Sequence, residues 1–181
     1  MARHGEPTGL AGGEGIFHWE PMTADDAVAI SSWHYPPPYD FYDFDADPDD
    51  RAELLDIENW APNSHWVWKT VVGDRVGFVI FETHDSEVEL GLGLSPGLTG
   101  QGLGALFMQE ILALTRTLWP RHTPCLFVAL FNERARTVYE RAGFRAQRVF
   151  EQETNGGIFL FVAMQYIPQP RHHSPGGRTM S

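Results

Sequence analysis

The sequence predicts a mixed α/β domain built on one central sheet, and three observations carry that prediction. Three strand-like runs, Trp66–Val72, Val76–Thr83 and Glu87–Leu94, follow one another with only short turns between them, as in an antiparallel meander. A glycine-rich stretch, Ser95-Pro-Gly-Leu-Thr-Gly-Gln-Gly-Leu-Gly104, then opens a helical pattern that leads to a continuous apolar run, Pro124–Phe131. That is the pattern of a crossover to a strand buried on both faces. Asn155-Gly156-Gly157 finally divides two further strand runs into a closing hairpin, so the sheet is mixed but mostly antiparallel, with about seven strands and about four flanking helices.

Each element has its own local reason. Residues 1–15 hold five glycines and few apolar residues and read as a flexible leader. Ile16–Glu20 is a short first strand. Thr23 then offers a helix N-cap ahead of Ala24, Asp25 and Asp26, and that helix must end before Pro36-Pro37-Pro38. Residues 33–46 form an aromatic loop that cannot be regular helix. Asp47 caps a second helix with Pro48 at its first position and Leu54, Leu55 and Ile57 inside. Gly73-Asp74 and His84-Asp85-Ser86 turn the meander. After the glycine loop, Leu103, Leu106, Phe107, Ile111, Leu114 and Leu118 recur at helical spacing until Pro120 stops the helix. Asn132 can cap a last helix, with Ala135, Val138 and Ala142 on one face and Gly143 just past its end. Phe144–Gln152 and Ile158–Ile167 form the hairpin. One domain over 16–167 is expected, with a polar Gly/Pro-rich tail at 168–181.

Bulk composition narrows the function. A net charge of −11 and a pI near 5.0 exclude a basic nucleic-acid surface. A single cysteine, Cys125, excludes a disulfide framework and a multi-thiolate metal site. The eight histidines show no ligand spacing, so no metal is expected. The N-terminal segment lacks a signal-peptide core, and the longest apolar runs are too short to span a membrane. A soluble, cytoplasmic protein without a membrane partner is expected.

The glycine loop carries the chemistry. Gly100, Gly102 and Gly104 leave backbone N–H groups uncovered where a helix begins, which shapes the loop for a phosphate. Gly100-Gln-Gly-Leu-Gly-Ala105 formally fits a dinucleotide fingerprint, but no acidic residue follows at 119–125 to take a ribose hydroxyl. A nucleoside-triphosphate loop needs Gly-Lys-Ser/Thr, and Gly104 is followed by Ala105. Three alternating glycines exceed what a plain packing turn requires.

Leu92–Gly104 resembles the acetyl-CoA signature of the GNAT N-acetyltransferase superfamily, in which a strand leads into a glycine loop and a helix. A second block, Asn132-Glu-Arg-Ala-Arg-Thr-Val-Tyr-Glu-Arg-Ala-Gly-Phe144, is similar to that family's asparagine, tyrosine and terminal Gly-Phe motif. The blocks lie in the family's order, and the likeness extends over about residues 16–167. Thr99 departs from the usual Arg or Gln at the loop's start, a small matter where backbone donors hold the pyrophosphate.

The resemblance implies acetyl transfer from acetyl-CoA to an amine. Thr99, Gly100, Gln101, Gly102, Leu103, Gly104 and Ala105 would cradle the pyrophosphate, and Asn132 would contact CoA. Gly91 and Gly93 punctuate the preceding strand. They mark either a splay that frees backbone groups at Leu92, Gly93 and Leu94 for the pantetheine arm and thioester, or close packing. Tyr139 takes the place of the family's general acid, seven residues after Asn132. Phe127 occupies the position where some members carry a glutamate base, so Glu89 becomes the candidate base, directly or through water. A surface ion pair explains Glu89 equally well. The first two helices and their connection usually line the acceptor side. Here that region mixes aromatic and acidic residues, with Trp33, Tyr35 and Tyr39 nearest an acceptor bearing a primary amine, either a small molecule or a peptide. A non-catalytic acyl-CoA-binding module and a homodimer both stay open at this point.

Overall fold

The computed structural model describes residues 15–168, so the expected leader and tail lie outside the described residues except for one residue each. The chain runs β1 (Phe17–Pro21), α1 (Ala24–Ser31), α2 (Pro48–Leu55), β2 (His65–Thr70), β3 (Arg75–His84), β4 (Glu87–Leu94), α3 (Gly104–Leu118), β5 (Thr123–Ala129), α4 (Glu133–Ala142), β6 (Phe144–Thr154) and β7 (Gly157–Tyr166). The seven strands form one sheet in the order β1-β2-β3-β4-β5-β7-β6. Every neighbouring pair is antiparallel except β4 and β5. That is the mixed, mostly antiparallel sheet with four α-helices that the sequence predicts.

The capping residues fall where local chemistry puts them. Thr23 accepts from the Asp26 N–H while the Asp26 carboxylate accepts from the Thr23 N–H, a reciprocal capping box. Asp47 caps α2 with Pro48 at its first position, but the helix ends at Leu55. Ile57, expected inside it, begins a separate 3-10 turn and is 37% exposed, because no core lies beneath it. The aromatic loop forms two 3-10 turns, Tyr39–Tyr42 and Phe44–Ala46. Gly143 ends α4 with φ +110, a conformation glycine adopts without a Cβ penalty.

Two helical layers sandwich the sheet. On one face α3 and α4 cover Val88, Leu90, Leu126, Val128 and Met164. On the other α1 and α2 cover Val67 and Phe78 through Ala27, Ile30 and Leu54. The buried stripe of α3 runs through Phe107, Met108, Ile111, Leu112, Leu114 and Thr115. Leu106, expected on that stripe, is 39% exposed.

The sheet is split. β4 and β5 pair only at Glu87↔Thr123, Val88↔Pro124 and Glu89↔Cys125. Beyond that point β4 stays with β3 as far as Leu94, and β5 follows β7. The expectation that β5 is buried on both faces therefore fails. Leu126 and Val128 are 1% and 2% exposed, but Phe127 between them is 38% exposed, because the diverging strands leave its side open.

Candidate active site

The fork between β4 and β5 opens into a cavity of about 830 Å³, within the range of ligand sites. Strand alternation decides which backbone groups face it. The Ser95 N–H donates to the Val76 carbonyl at 2.8 Å, so residues 91, 93 and 95 address β3. The peptide groups of Leu92 and Leu94 are thereby directed into the fork, beyond the last β4–β5 pair at Glu89↔Cys125. The Leu94 carbonyl accepts from the Tyr35 hydroxyl at 2.7 Å. Gly93 is required by packing, since an added Cβ would meet the Phe78 ring at 2.7 Å, whereas Gly91 has room.

Next to the fork lies the glycine loop. Gly100 and Gly102 adopt φ +75 and +80, in the left-handed region that favours glycine, and a Cβ at Gly102 would touch nothing within 4 Å. α3 starts at Gly104 with no side-chain cap, so the N–H groups of its first turn are unclaimed. Gly104 also lets α4 approach, because its Cβ would stand 3.2 Å from both Val138 methyls. Among the described residues the cavity lining includes Arg116, Arg134 and Arg141 and no carboxylate. Open donors, a helix N-terminus and three cations in a chain of net charge −11 suit a polyanion such as the pyrophosphate of CoA. Gln101 and Leu103 do not line the cavity; Gln101 donates instead to the Gly97 carbonyl at 2.6 Å.

Tyr35, Tyr39, Tyr42 and Tyr139 all line the fork. Tyr139 projects from α4 into the cavity lining. Desolvation pushes its pKa well above the usual phenol value, with Tyr42 and Tyr35 adding to the shift. It is therefore protonated at neutral pH. Tyr42, which the sequence did not single out, accepts from the Ala129 N–H and from Asn132 Nδ2, each at 3.2 Å. Asn132 Oδ1 meanwhile accepts from the Ala135 N–H at 3.1 Å. Both ends of Asn132 are thus engaged within the protein by one bond each, which fixes the amide and leaves its second Nδ2 hydrogen for a ligand. The only signal for Tyr42 was its place in the aromatic run beside Tyr35 and Tyr39. Tyr39 lies under the Arg134 guanidinium at 4.1 Å and lines the cavity. Trp33 does not: it packs on Phe78 at 6.0 Å in the second core.

Glu89 stands on the opposite sheet face from Leu90, at the closed end of the fork and outside the cavity lining. Burial raises its pKa, Glu82 raises it further, and His84 opposes. His84 Nε2 lies 3.3 Å from Glu82 and 3.8 Å from Glu89. Cys125, its register neighbour on β5, has its thiol pushed up to about 11 by burial and by Glu87 and Glu89. A thiol so protonated is a poor nucleophile.

The acidic loop is largely committed to its own folding. Asp43 accepts from His34 and from the Tyr35 N–H, both at 2.9 Å. Asp45 pairs with Arg51 at 3.1 Å. Asp47 caps α2 and accepts from Thr154 and the Asn155 N–H.

A family model described as an acetyltransferase (GNAT) domain matches residues 18–145. The chain belongs to the GNAT acetyltransferase family. This GNAT protein is accordingly an N-acetyltransferase whose acetyl donor is acetyl-CoA. Among solved structures, a spermidine N-acetyltransferase chimera with a Vibrio cholerae parent has a TM-score of 0.66 at 18% identity, over 84% of this chain and 96% of its own. A protein provisionally assigned as a phosphinothricin N-acetyltransferase has a TM-score of 0.67 at 16% identity, over 85% and 99%. The Vibrio cholerae spermidine N-acetyltransferase in complex with CoA and spermine has a TM-score of 0.63 at 20% identity, over 83% and 94%. At such identities they establish the fold. No curated protein sequence matches the chain. Among the described residues, no helix of the GNAT domain is long and apolar enough to cross a membrane.

Proposed function

We propose that this acetyltransferase moves the acetyl group of acetyl-CoA to a primary amine of a small molecule or peptide, by direct attack in a ternary complex. The observation that carries the reading is one cavity joining an uncapped helix N-terminus, unpaired strand backbone and a protonated phenol. Acetyl-CoA supplies an activated thioester with a thiol leaving group. On the protein side, donors from Gly100 to Ala105 hold the pyrophosphate, with Arg134 beside them. Leu92 and Leu94 offer their peptide groups to the pantetheine arm and the thioester carbonyl. Tyr139 gives its proton to the departing sulfur. Glu89, whose raised pKa makes it a better base than an ordinary carboxylate, takes the amine proton through water. Direct transfer is favoured because, among the described residues, the cavity lining holds no cysteine, serine, lysine or histidine to carry the acetyl group. The amine acceptors of the Vibrio cholerae enzyme support an amine here as well.

Steady-state thiol release tests the reading. Tyr139→Phe is expected to lower kcat by about 10²–10³-fold, with the CoA dissociation constant unchanged. A variant as fast as the parent would remove Tyr139 from the chemistry, and CoA binding without release for any amine would reduce the protein to a binding module.

A further inference from the structure

We propose that the acceptor is a monoamine carried on an aromatic or flat apolar body, held between Glu89 and a wall formed by Phe127 and Phe150, and not a polyamine. This rests on the acetyl-transfer reading and adds the substrate class.

Register places the two walls on the same face of the sheet. Leu126 and Val128 point to the α3 side, so Cys125 and Phe127 point to the other. On β4, Val88 and Leu90 join the α3 core, so Glu89 shares the face of Phe127. The β4 and β5 arms diverge from Glu89↔Cys125 onward, so a molecule entering from this face meets Glu89 on one side and Phe127 on the other.

The aromatic wall is continuous. The Phe127 ring meets Phe150 edge-on at 5.2 Å, and Phe150 meets Phe161 at 6.1 Å. Ala163 is the register partner of both Phe127 and Arg148, and Arg148 lays its guanidinium over the Phe150 ring at 4.5 Å, so the open part of the wall is the Phe127 ring. A ring 38% exposed beside neighbours at 1% and 2% is apolar surface that the protein covers only at one edge, through Phe150. It lines the same cavity as Tyr139, the proposed proton donor. A flat apolar group can cover it.

Charge argues against a second ammonium. Among the described residues no carboxylate lines the cavity, while three arginines do. Arg148 already lies over the Phe150 ring at 4.5 Å, so a cation approaching that wall meets a guanidinium. Asp43, Asp45 and Asp47 are engaged in the loop, and Glu87 accepts from Gln165 Nε2 at 2.6 Å. Asp40 is exposed and outside the lining. Among the described residues, the carboxylates at this end of the fork are Glu89 and its cross-strand neighbour Glu82 with His84 close to both, a single cluster for one ammonium.

The test compares 2-phenylethylamine with spermidine, by thiol release and by calorimetric titration into CoA-saturated protein. We expect 2-phenylethylamine to exceed spermidine by about tenfold or more in kcat/KM, the scale of one good aromatic contact. Phe127→Ala should bring the ratio close to parity without altering CoA affinity, and Phe127→Glu should turn it toward spermidine. Because Phe127 is already half exposed, Phe127→Leu serves as a folded control that keeps part of the preference. Spermidine equal or superior in the parent, or a ratio indifferent to Phe127→Ala, overturns the proposal. If no amine is acetylated yet 2-phenylethylamine binds more tightly in a Phe127-dependent way, the transfer reading fails and the aromatic slot stands. Without turnover, equal binding of the two amines overturns both.

Discussion

Glu82 and Glu89 face each other across β3 and β4, and like charges so placed raise one another's pKa. Burial is the larger cause at Glu89, Glu82 the next, and His84 works against both. If Glu89 is the base, activity needs its carboxylate, so the acid limb of kcat/KM lies above the ordinary glutamate range. Glu82→Gln removes a neighbouring charge and should move that limb to lower pH, whereas His84→Ala should move it to higher pH. A pH profile unchanged in both variants would separate the limb from Glu89. Much of the candidate site's placement was legible because it depends on short spacing: the alternating glycines, Asn132 at a cap, and Tyr139 two turns along the same helix. Tyr42 and the role of Phe127 were not. Tyr42 reaches Asn132 across 90 positions of sequence, and the exposure of Phe127 depends on strands that part company. Conversely, Trp33 reads as a ligand face but packs against the second core, because Phe78 offers it a ring to pack on.

At the scale of elements, α1 shows how a cap can double as an anchor. Asp26 is 1% exposed at its side chain, closes the capping box and pairs with Arg75 at 2.7 Å and Lys69 at 3.2 Å. Burial pushes its pKa upward, but the Thr23 hydrogen bonds and the two cations outweigh it and hold the carboxyl below the usual range. A depressed carboxyl contributes stability above its unfolded pKa and loses it as pH falls through the folded value. Asp26→Ala should cost about 3 kcal/mol, leaving Lys69 to Glu20 alone and taking from Arg75 its carboxylate partner. Urea denaturation at pH 7 would measure this, and the gap between variant and parent should shrink in acid. Caps of this kind made the helix starts readable in sequence. Helix and strand ends were less so: β5 and α2 both stop short of their apolar residues, and Phe131, which meets only the aromatic loop through Phe41 and Tyr42, and Ile57 are 43% and 37% exposed.

For the whole molecule, the decisive feature is a sheet held closed at one end and open at the other. The aromatic loop ties the two arms: Tyr35 bonds to Leu94 on β4, Tyr42 to Ala129 on β5, and Asn155 beyond β6 donates to the Phe41 carbonyl. The order of strands and helices was readable, because turns and periodicity are local. The extent of the fork was not, because only three register pairs join β4 to β5 and no local pattern records where they end. The cavity concentrates arginine in an acidic chain, placing an anionic donor beside an amine acceptor. Mass spectrometry of a reaction mixture containing the protein, acetyl-CoA and 2-phenylethylamine reads acetyl transfer at the fork without an intermediary assay. One N-acetylated amine per CoA released and a protein of unchanged mass are expected. Acetyl-CoA bound but unconsumed across a panel of primary amines, or an acetylated protein that precedes product, would contradict direct transfer to an amine.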